Sequence, residues 1–273
     1  MKIEKIISDV EAMGYEAQEH TVDKGNGIIL NAIVVRKPGK NLGANVYYTT
    51  DESNEEIMKK IEAAIPQLEP EYEVETEKLG DWEYAKSRLT VRLYSQPPKG
   101  AVAIKVICDL FAVPTLVVRS EWDEMATAVI NDGMLKSYGV TEDELYEAAL
   151  ESAKGITPVI CKSMYETMVE MMGEEAKMFI PQDDNDDKMY VLSNKQKVNG
   201  ASAILYAENL PFKDFYMLPS SKHEVLLVSM ECEMSESALS AMVKEVNATE
   251  VSVEDRLSDN AYCYKDGEWF IVG

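Results

Sequence analysis

Long hydrophobic runs are missing from this sequence. The most apolar stretch, Ala101 to Val118, is broken by Lys105, Asp109 and Pro114. It falls short of the ~20 consecutive apolar residues that cross a bilayer. The opening MKIEKIISDVEAMG alternates charged and apolar residues and lacks the continuous apolar core of a secretory signal. A cytoplasmic protein without a membrane partner is therefore expected.

Cysteine and histidine are scarce. The four cysteines, Cys108, Cys161, Cys232 and Cys263, lie far apart. Neither a disulfide framework nor the C-x₂₋₄-C pairs of a zinc site is written there, so plain buried or half-buried thiols are expected. With only His20 and His223, no H-x-x-x-H or H-E-x-x-H pair exists and no metal is expected. Phosphate-cradling loops of the forms G-x-x-x-x-G-K-[ST] and G-x-G-x-x-G are absent, so no cofactor is expected.

Positive charge is also in short supply. There are 27 lysines and arginines against 49 acidic residues, a net charge of −22. The imbalance is uneven: residues 1–100 carry 18 acidic against 13 basic residues, and residues 101–273 carry 31 against 14. Such a surface repels phosphate backbones and anionic lipids, which argues against direct nucleic-acid or membrane binding. A basic protein is the natural electrostatic partner, and solubility alone is the simpler use of the same charge.

What is present reads as a mixture of helices and strands. Ile3, Ile6, Ile7, Val10 and Met13 share a helical face that Gly14 ends. Two β-rich runs flank Gly25-Asn26-Gly27 as a hairpin, and a third strand follows over Ala44 to Thr50. Ser53 and Glu56 form a capping box ahead of Ile57, Ile61 and Ile65, with Pro66 ending that helix. Leu68 to Leu79 reads as loop or edge strand. Asp81 to Ser95 fits a helix through Trp82, Ala85, Leu89 and Leu93, and fits a strand through Leu89 to Tyr94; the helix is favoured. Pro97-Pro98-Lys99-Gly100 breaks the chain, which divides the reading into α+β regions 1–100 and 101–273 within what could be one continuous domain.

Val102 to Val118 holds one buried strand or two, and Ala126 to Ile130 another. Thr141 and Glu144 cap a helix through about Ala153. Pro158 starts a further helix with Ile160, Met164, Met168 and Met171 on one stripe, where the methionines invite a binding-groove reading and core packing is the simpler one. Four strands follow at Met189–Leu192, Ala201–Tyr206, Phe215–Leu218 and Val225–Met230. Ser235 caps a helix with Ala238, Leu239, Met242, Val243 and Val246 inward, and a hairpin around Lys265-Asp266-Gly267-Glu268 closes the chain. Strict βαβ alternation is missing. The expected class is α+β with mainly antiparallel sheets, several amphipathic helices and a strand-rich C-terminal third.

Chemistry has few candidates. Ser221 and His223, in Pro219-Ser220-Ser221-Lys222-His223-Glu224, are the weak catalytic pair; Cys232 is the other nucleophile within the same reading. No G-x-S-x-G elbow supports them. Asp183, Asp184, Asp186 and Asp187 begin like a calcium loop, but Lys188 stands where glycine belongs and Asn194 where the bidentate glutamate belongs. A solvated acidic turn is the simpler reading of that weak binding candidate. Glu254, Asp255 and Asp259 form a candidate acid cluster, in which turn-capping by Asp255 and Asp259 is a simpler reading than a shared proton. Asn247-Ala248-Thr249 is a formal glycosylation sequon, irrelevant in a cytoplasmic protein.

Five segments carry a resemblance. They are GNGIILNAIVVRKPGKNLGANVYY (25–48), VTEDELYEAALESAKGITP (140–158), MYVLSNKQKVNGASAILY (189–206), FYMLPSSKHEVLLV (215–228) and MVKEVNATEVSVEDRLSDNAYCY (242–264). Together they resemble a family of uncharacterised proteins from gut clostridia, often in genomes rich in mobile genetic elements. Lys265 ahead of Asp266 is a small departure from its pattern. The resemblance implies a context but no activity, cofactor or catalytic residue. The expectation is thus an acidic binding or regulatory protein acting on a basic protein, in a mobile-element or anti-defence setting. The alternative is a hydrolase using His223 with Ser221 or Cys232.

Overall fold

The structure, a computed structural model, describes residues 2–40, 42–68, 76–121, 124–173 and 188–273. The acidic run Asp183, Asp184, Asp186 and Asp187 lies outside the described residues. The chain forms two compact units, 1–77 and 78–273. Pro97 to Gly100 falls inside the second.

The first unit runs α1 (Lys2–Ala12), β1 (Glu16–Gly25), β2 (Ile28–Arg36), β3 (Ala44–Tyr48) and α2 (Asn54–Ala64). Gly14, at φ +90°, ends α1 in a conformation side chains avoid. Asn26 and Gly27, both at positive φ, turn β1 into β2. The three strands make an antiparallel meander in the order β1-β2-β3, with Ile33 opposite Glu19 on one side and Val46 on the other. Ile6, Val10, Ile57 and Ile61 from the helices meet Ile33, Val35, Val46 and Tyr48 from the sheet. Each fully buried Ile or Val contributes about 1.5–3 kcal/mol relative to exposure. Ser53 Oγ accepts from Glu56 N–H at 3.2 Å while Ser53 N–H donates to Glu56 Oε2 at 2.7 Å, so the capping box forms as read. The Tyr48 hydroxyl donates to the Glu19 carboxylate. Burial, and then that carboxylate, push the Tyr48 phenol up to about 12.

The second unit holds two sheets. The smaller is built from β4 (Leu89–Tyr94), β5 (Ile104–Ile107), β6 (Leu110–Glu121) and β7 (Glu124–Val129), with β6 between β4 and β5 and also paired with β7. The larger contains β8 (Val159–Ser163), β9 (Met189–Asn194), β10 (Phe215–Pro219), β11 (Val225–Ser229), β12 (Ala261–Lys265) and β13 (Glu268–Val272). Its order is β13-β12-β10-β11-β9-β8. Every described ladder is antiparallel, so the α+β class is as expected. The helices are α3 (Trp82–Ala85), α4 (Asp132–Tyr138), α5 (Glu142–Ile156), α6 (Met164–Met172) and α7 (Glu236–Thr249).

Alternation in the larger sheet feeds two cores. Phe215 and Met217 of β10, Leu227 of β11 and Tyr262 of β12 face Val91, Leu93 and Ala112 of the smaller sheet. Tyr216, Leu218, Val228 and Cys263 point the other way, onto Leu239 and Val243 of α7. A third cluster packs Leu145 and Ala149 of α5 and Tyr138 of α4 against Leu89 and Leu116.

Five expectations are corrected. Asp81 to Ser95 is a one-turn helix capped by Asp81, followed by the strand β4; buried side chains on successive β4 residues mask a strand's period. The segment after Pro158 is strand β8, and the helix starts later, where Ser163 and Glu166 form a capping box. Val169 is the buried residue of that helix, whereas Met171 and Met172 are 80% and 66% exposed, so the methionines are no core stripe. Ala201 to Tyr206 is not a strand: Gly200–Leu205 is a 3-10 turn of small buried residues entered from Asn199 at φ +52°. Of the expected inward residues of α7, Leu239 and Val243 are buried and Met242 packs half-buried on the same core, whereas Ala238 is exposed and Ser240 and Asn247 complete the buried face.

Candidate functional site

Two sites in the second unit gather polar groups. The first is the β10–β11 loop, which holds both histidine-pair candidates. His223 Nδ1 accepts from Asn199 N–H at 3.2 Å, which leaves the neutral ring's proton on Nε2, 3.1 Å from Asp255 Oδ1. Both ring nitrogens are thus engaged. Ser221 Oγ accepts from the His223 backbone N–H at 3.0 Å rather than meeting the ring. Cys232 belongs to the α7-side core, where its thiol approaches the Met234 carbonyl at 3.9 Å.

Asp255 is the hub. Its Oδ1 also takes Lys222 Nζ at 2.8 Å, and its Oδ2 accepts from Ser252 Oγ at 2.8 Å. The Lys222 hydrogen bond, above all, holds this carboxyl well below the usual carboxylate range; burial opposes it, and Ser252 and His223 assist. Lys222 Nζ further donates to Glu254 O at 3.0 Å, and Lys222 N–H to Asp255 O at 2.7 Å. Ser193 Oγ donates to His223 O at 2.7 Å. Gly200 seats the third loop: a Cβ there would collide with Ser193 Oγ, with His223 O at 2.5 Å and with Asn194 N at 2.7 Å. The arrangement ties three loops, around residues 193–201, 219–224 and 252–256. Of the acid trio, Asp259 accepts instead from Asn247 Nδ2 at 2.7 Å; the same nitrogen reaches Ser258 O at 2.9 Å, and Asn247 is 2% exposed.

The second site is the outer face of α5. Thr141 caps it, and Leu145, Ala149 and Ala153 turn inward at helical spacing. Glu142, Asp143, Glu144, Glu147 and Glu151 are left exposed as an acidic ridge. At its C-terminal end Lys154 pairs with Glu151 at 3.0 Å and Glu208 at 2.9 Å. The hydrogen bonds it donates to those two carboxylates, Glu208 first, raise the Lys154 ammonium. Two clefts flank the lysine. One of about 340 Å3 is lined by Glu147, Glu151, Leu150 and Leu205. The other, about 330 Å3, reaches Cys161 and Val159. Burial pushes the Cys161 thiol up to about 11, and raises Cys108 and Cys263 as well. Such thiols hold little thiolate at neutral pH and are poor nucleophiles.

A buried polar tie accompanies these sites. Tyr262 OH donates to Asp109 Oδ1 at 2.7 Å and lies 2.7 Å from Ser258 Oγ, while Asn260 Nδ2 donates to Asp109 Oδ2 at 2.9 Å. Burial chiefly raises the Tyr262 phenol. Among the described residues no group of three or more His, Cys, Asp and Glu side chains is placed to hold a metal ion. No described helix is long and apolar enough to cross a membrane.

The antiparallel sheets and the helices packed on them define an α+β protein. A model for a family of unknown function, DUF5688, matches residues 1–266, and the chain belongs to that family. No curated protein and no solved structure matches it.

The ridge on α5 was missed as a site although its signal was available. Glu144, Glu147 and Glu151 recur at helical spacing opposite Leu145 and Ala149. His223 and Asp255 stand 32 positions apart, and no local pattern joins them.

Proposed function

We propose that the protein is a non-enzymatic binding or regulatory module that takes a basic protein through the α5 ridge. The observation that carries this reading is the exposed row of Glu142, Asp143, Glu144 and Glu147 running into an open cleft walled by Leu150 and Leu205, with Lys154 holding Glu151 and Glu208 at its far end. An arginine or lysine of a partner lays its methylenes on the leucines and its charge against Glu147, while Glu151 and Glu208 are shared with Lys154. The net charge of −22 steers a cationic surface toward it. Engagement of both His223 nitrogens supports a structural rather than a hydrolytic use of that residue. A mobile-element or anti-defence setting suits a protein that occupies a basic surface by charge, and a cytoplasmic location fits such a partner.

The test is a pull-down from host lysate at low and high salt, repeated with the purified partner. Binding should weaken with salt and fall at least about tenfold in Glu147→Lys/Glu151→Lys. Retention of the partner by that variant at low salt would remove the ridge from the proposal.

A further inference from the structure

The outer edge of β13 offers a second interaction surface, independent of charge. Among the described residues β13 pairs with β12 and with no other strand. Its register on β12 runs from Lys265↔Glu268 to Ala261↔Val272 without a bulge. Phe270 and Ile271 are 46% and 48% exposed, on opposite faces of the strand. Natural edges are blunted by lysine, proline or a bulge. Glu268-Trp269-Phe270-Ile271-Val272 has none of these.

Turn geometry decides which backbone groups are unpaired. Asp266 and Gly267 both have positive φ, 51° and 89°, so they form a two-residue turn closed by a hydrogen-bonded pair, Lys265 and Glu268. Hydrogen-bonded and non-hydrogen-bonded pairs then alternate. Glu268, Phe270 and Val272 direct their N–H and C=O toward β12. Trp269 and Ile271 direct theirs outward.

We infer that this edge joins a second copy of the chain, β13 to β13, antiparallel about a two-fold axis at Phe270. In that register Trp269 of each copy exchanges both backbone bonds with Ile271 of the other, which satisfies all four outward groups on each copy. Phe270 meets its symmetry mate at a non-hydrogen-bonded position, where side chains approach closest. The side-chain pairs are aromatic with aromatic and aromatic with β-branched, the favoured cross-strand classes. Glu268 faces Val272, so the strand's single charge never opposes itself. The strand is self-complementary in hydrogen bonding, shape and charge, which is what an isologous interface requires. Two six-stranded sheets become one continuous sheet.

Sedimentation equilibrium of the full chain tests this. A dimer is expected, and its association should tighten several-fold as salt rises, because each copy carries −22 and screening relieves their repulsion. Salt weakens the proposed basic-partner complex instead, so the two readings fail separately. Ile271→Pro removes an outward N–H and spares the β12 ladder; Phe270→Lys sets like charges on the axis. Each should weaken the dimer at least about tenfold. Mixing Phe270→Lys with Phe270→Glu should restore association, which only folded chains can do. A monomer at every concentration and salt would overturn the inference. So would a dimer indifferent to both substitutions, or an edge that pairs with a strand of another protein and not with its own copy.

Discussion

The two compact units solve the same packing problem differently. In the first, each strand pairs with its sequence neighbour, and two helices close one face over a single apolar cluster. In the second, β12 pairs β10 and β11 pairs β9, so the large sheet is laced across distant segments. Its cores lie on both faces. Polar ties then hold what local sequence does not: Asp109 to Tyr262 spans 153 positions, and Thr157 to Tyr206 spans 49. The difference teaches that the first unit depends on local signals and the second on a few long-range polar contacts.

The largest effect that would break this comparison is expected at Gly200. Gly200→Ala forces Cβ into the Ser193, Asn194 and His223 contacts and should cost about 3 kcal/mol, read by urea denaturation. A neutral result would mean that the loop tie is slack. Tyr262→Phe comes next. It leaves Asp109 without its phenol donor and should cost about 2 kcal/mol in the same measurement.

Matched cap deletions sharpen the contrast. Ser53→Ala in the first unit and Thr141→Ala in the second each remove one side of a capping box, at about 1 kcal/mol. Amide exchange should quicken in 54–64 for one variant and in 142–156 for the other. Quickening of both helices in either variant would show that the units open together.

The smallest effects lie at the pH extremes, one per unit. Asp255 has a depressed folded-state pKa, so its contribution is present above the ordinary aspartate value of about 3.9 and fades as pH falls below it. Asp255→Asn should flatten that acid limb. The expected loss is about 1 kcal/mol at most, because the carboxylate is 37% exposed and solvent screens it. Tyr48 behaves oppositely. Its phenol is raised, so its contribution is full below the ordinary tyrosine value of about 10 and is lost as pH climbs through about 12. Tyr262, Tyr206 and other buried phenols also ionise late, so ultraviolet titration of Tyr48→Phe should lose one of several late tyrosinate steps rather than all of them.

Legibility in the sequence follows the same division. Gly14, Gly25-Asn26-Gly27 and the Ser53–Glu56 box each act within a few residues, and the first unit's elements stand where they predict. In the second unit Thr141 and Ser235 behave likewise. Misreadings cluster where tertiary burial erases period: β4 is buried at five of six positions, and the Gly200–Leu205 turn is itself a run of mostly small residues, buried from Gly200 to Ile204. Pro158 looked like a helix start because proline suits a first turn, yet the cap that counted was Ser163. Of the candidate site, the acidic excess was plain and its gathering at Lys154 was not, since Glu208 reaches α5 only through the fold.

Asn247 gives the closing consequence. Its Nδ2 is the atom a glycosyltransferase would modify, and it is also the buried donor that fastens α7 to the Ser258–Asp259 turn. A sugar there cannot coexist with that latch. Produced through a secretory pathway, the chain would face a race in which folding hides the acceptor and early modification bars the native state, so the yield of native protein would record which process is faster.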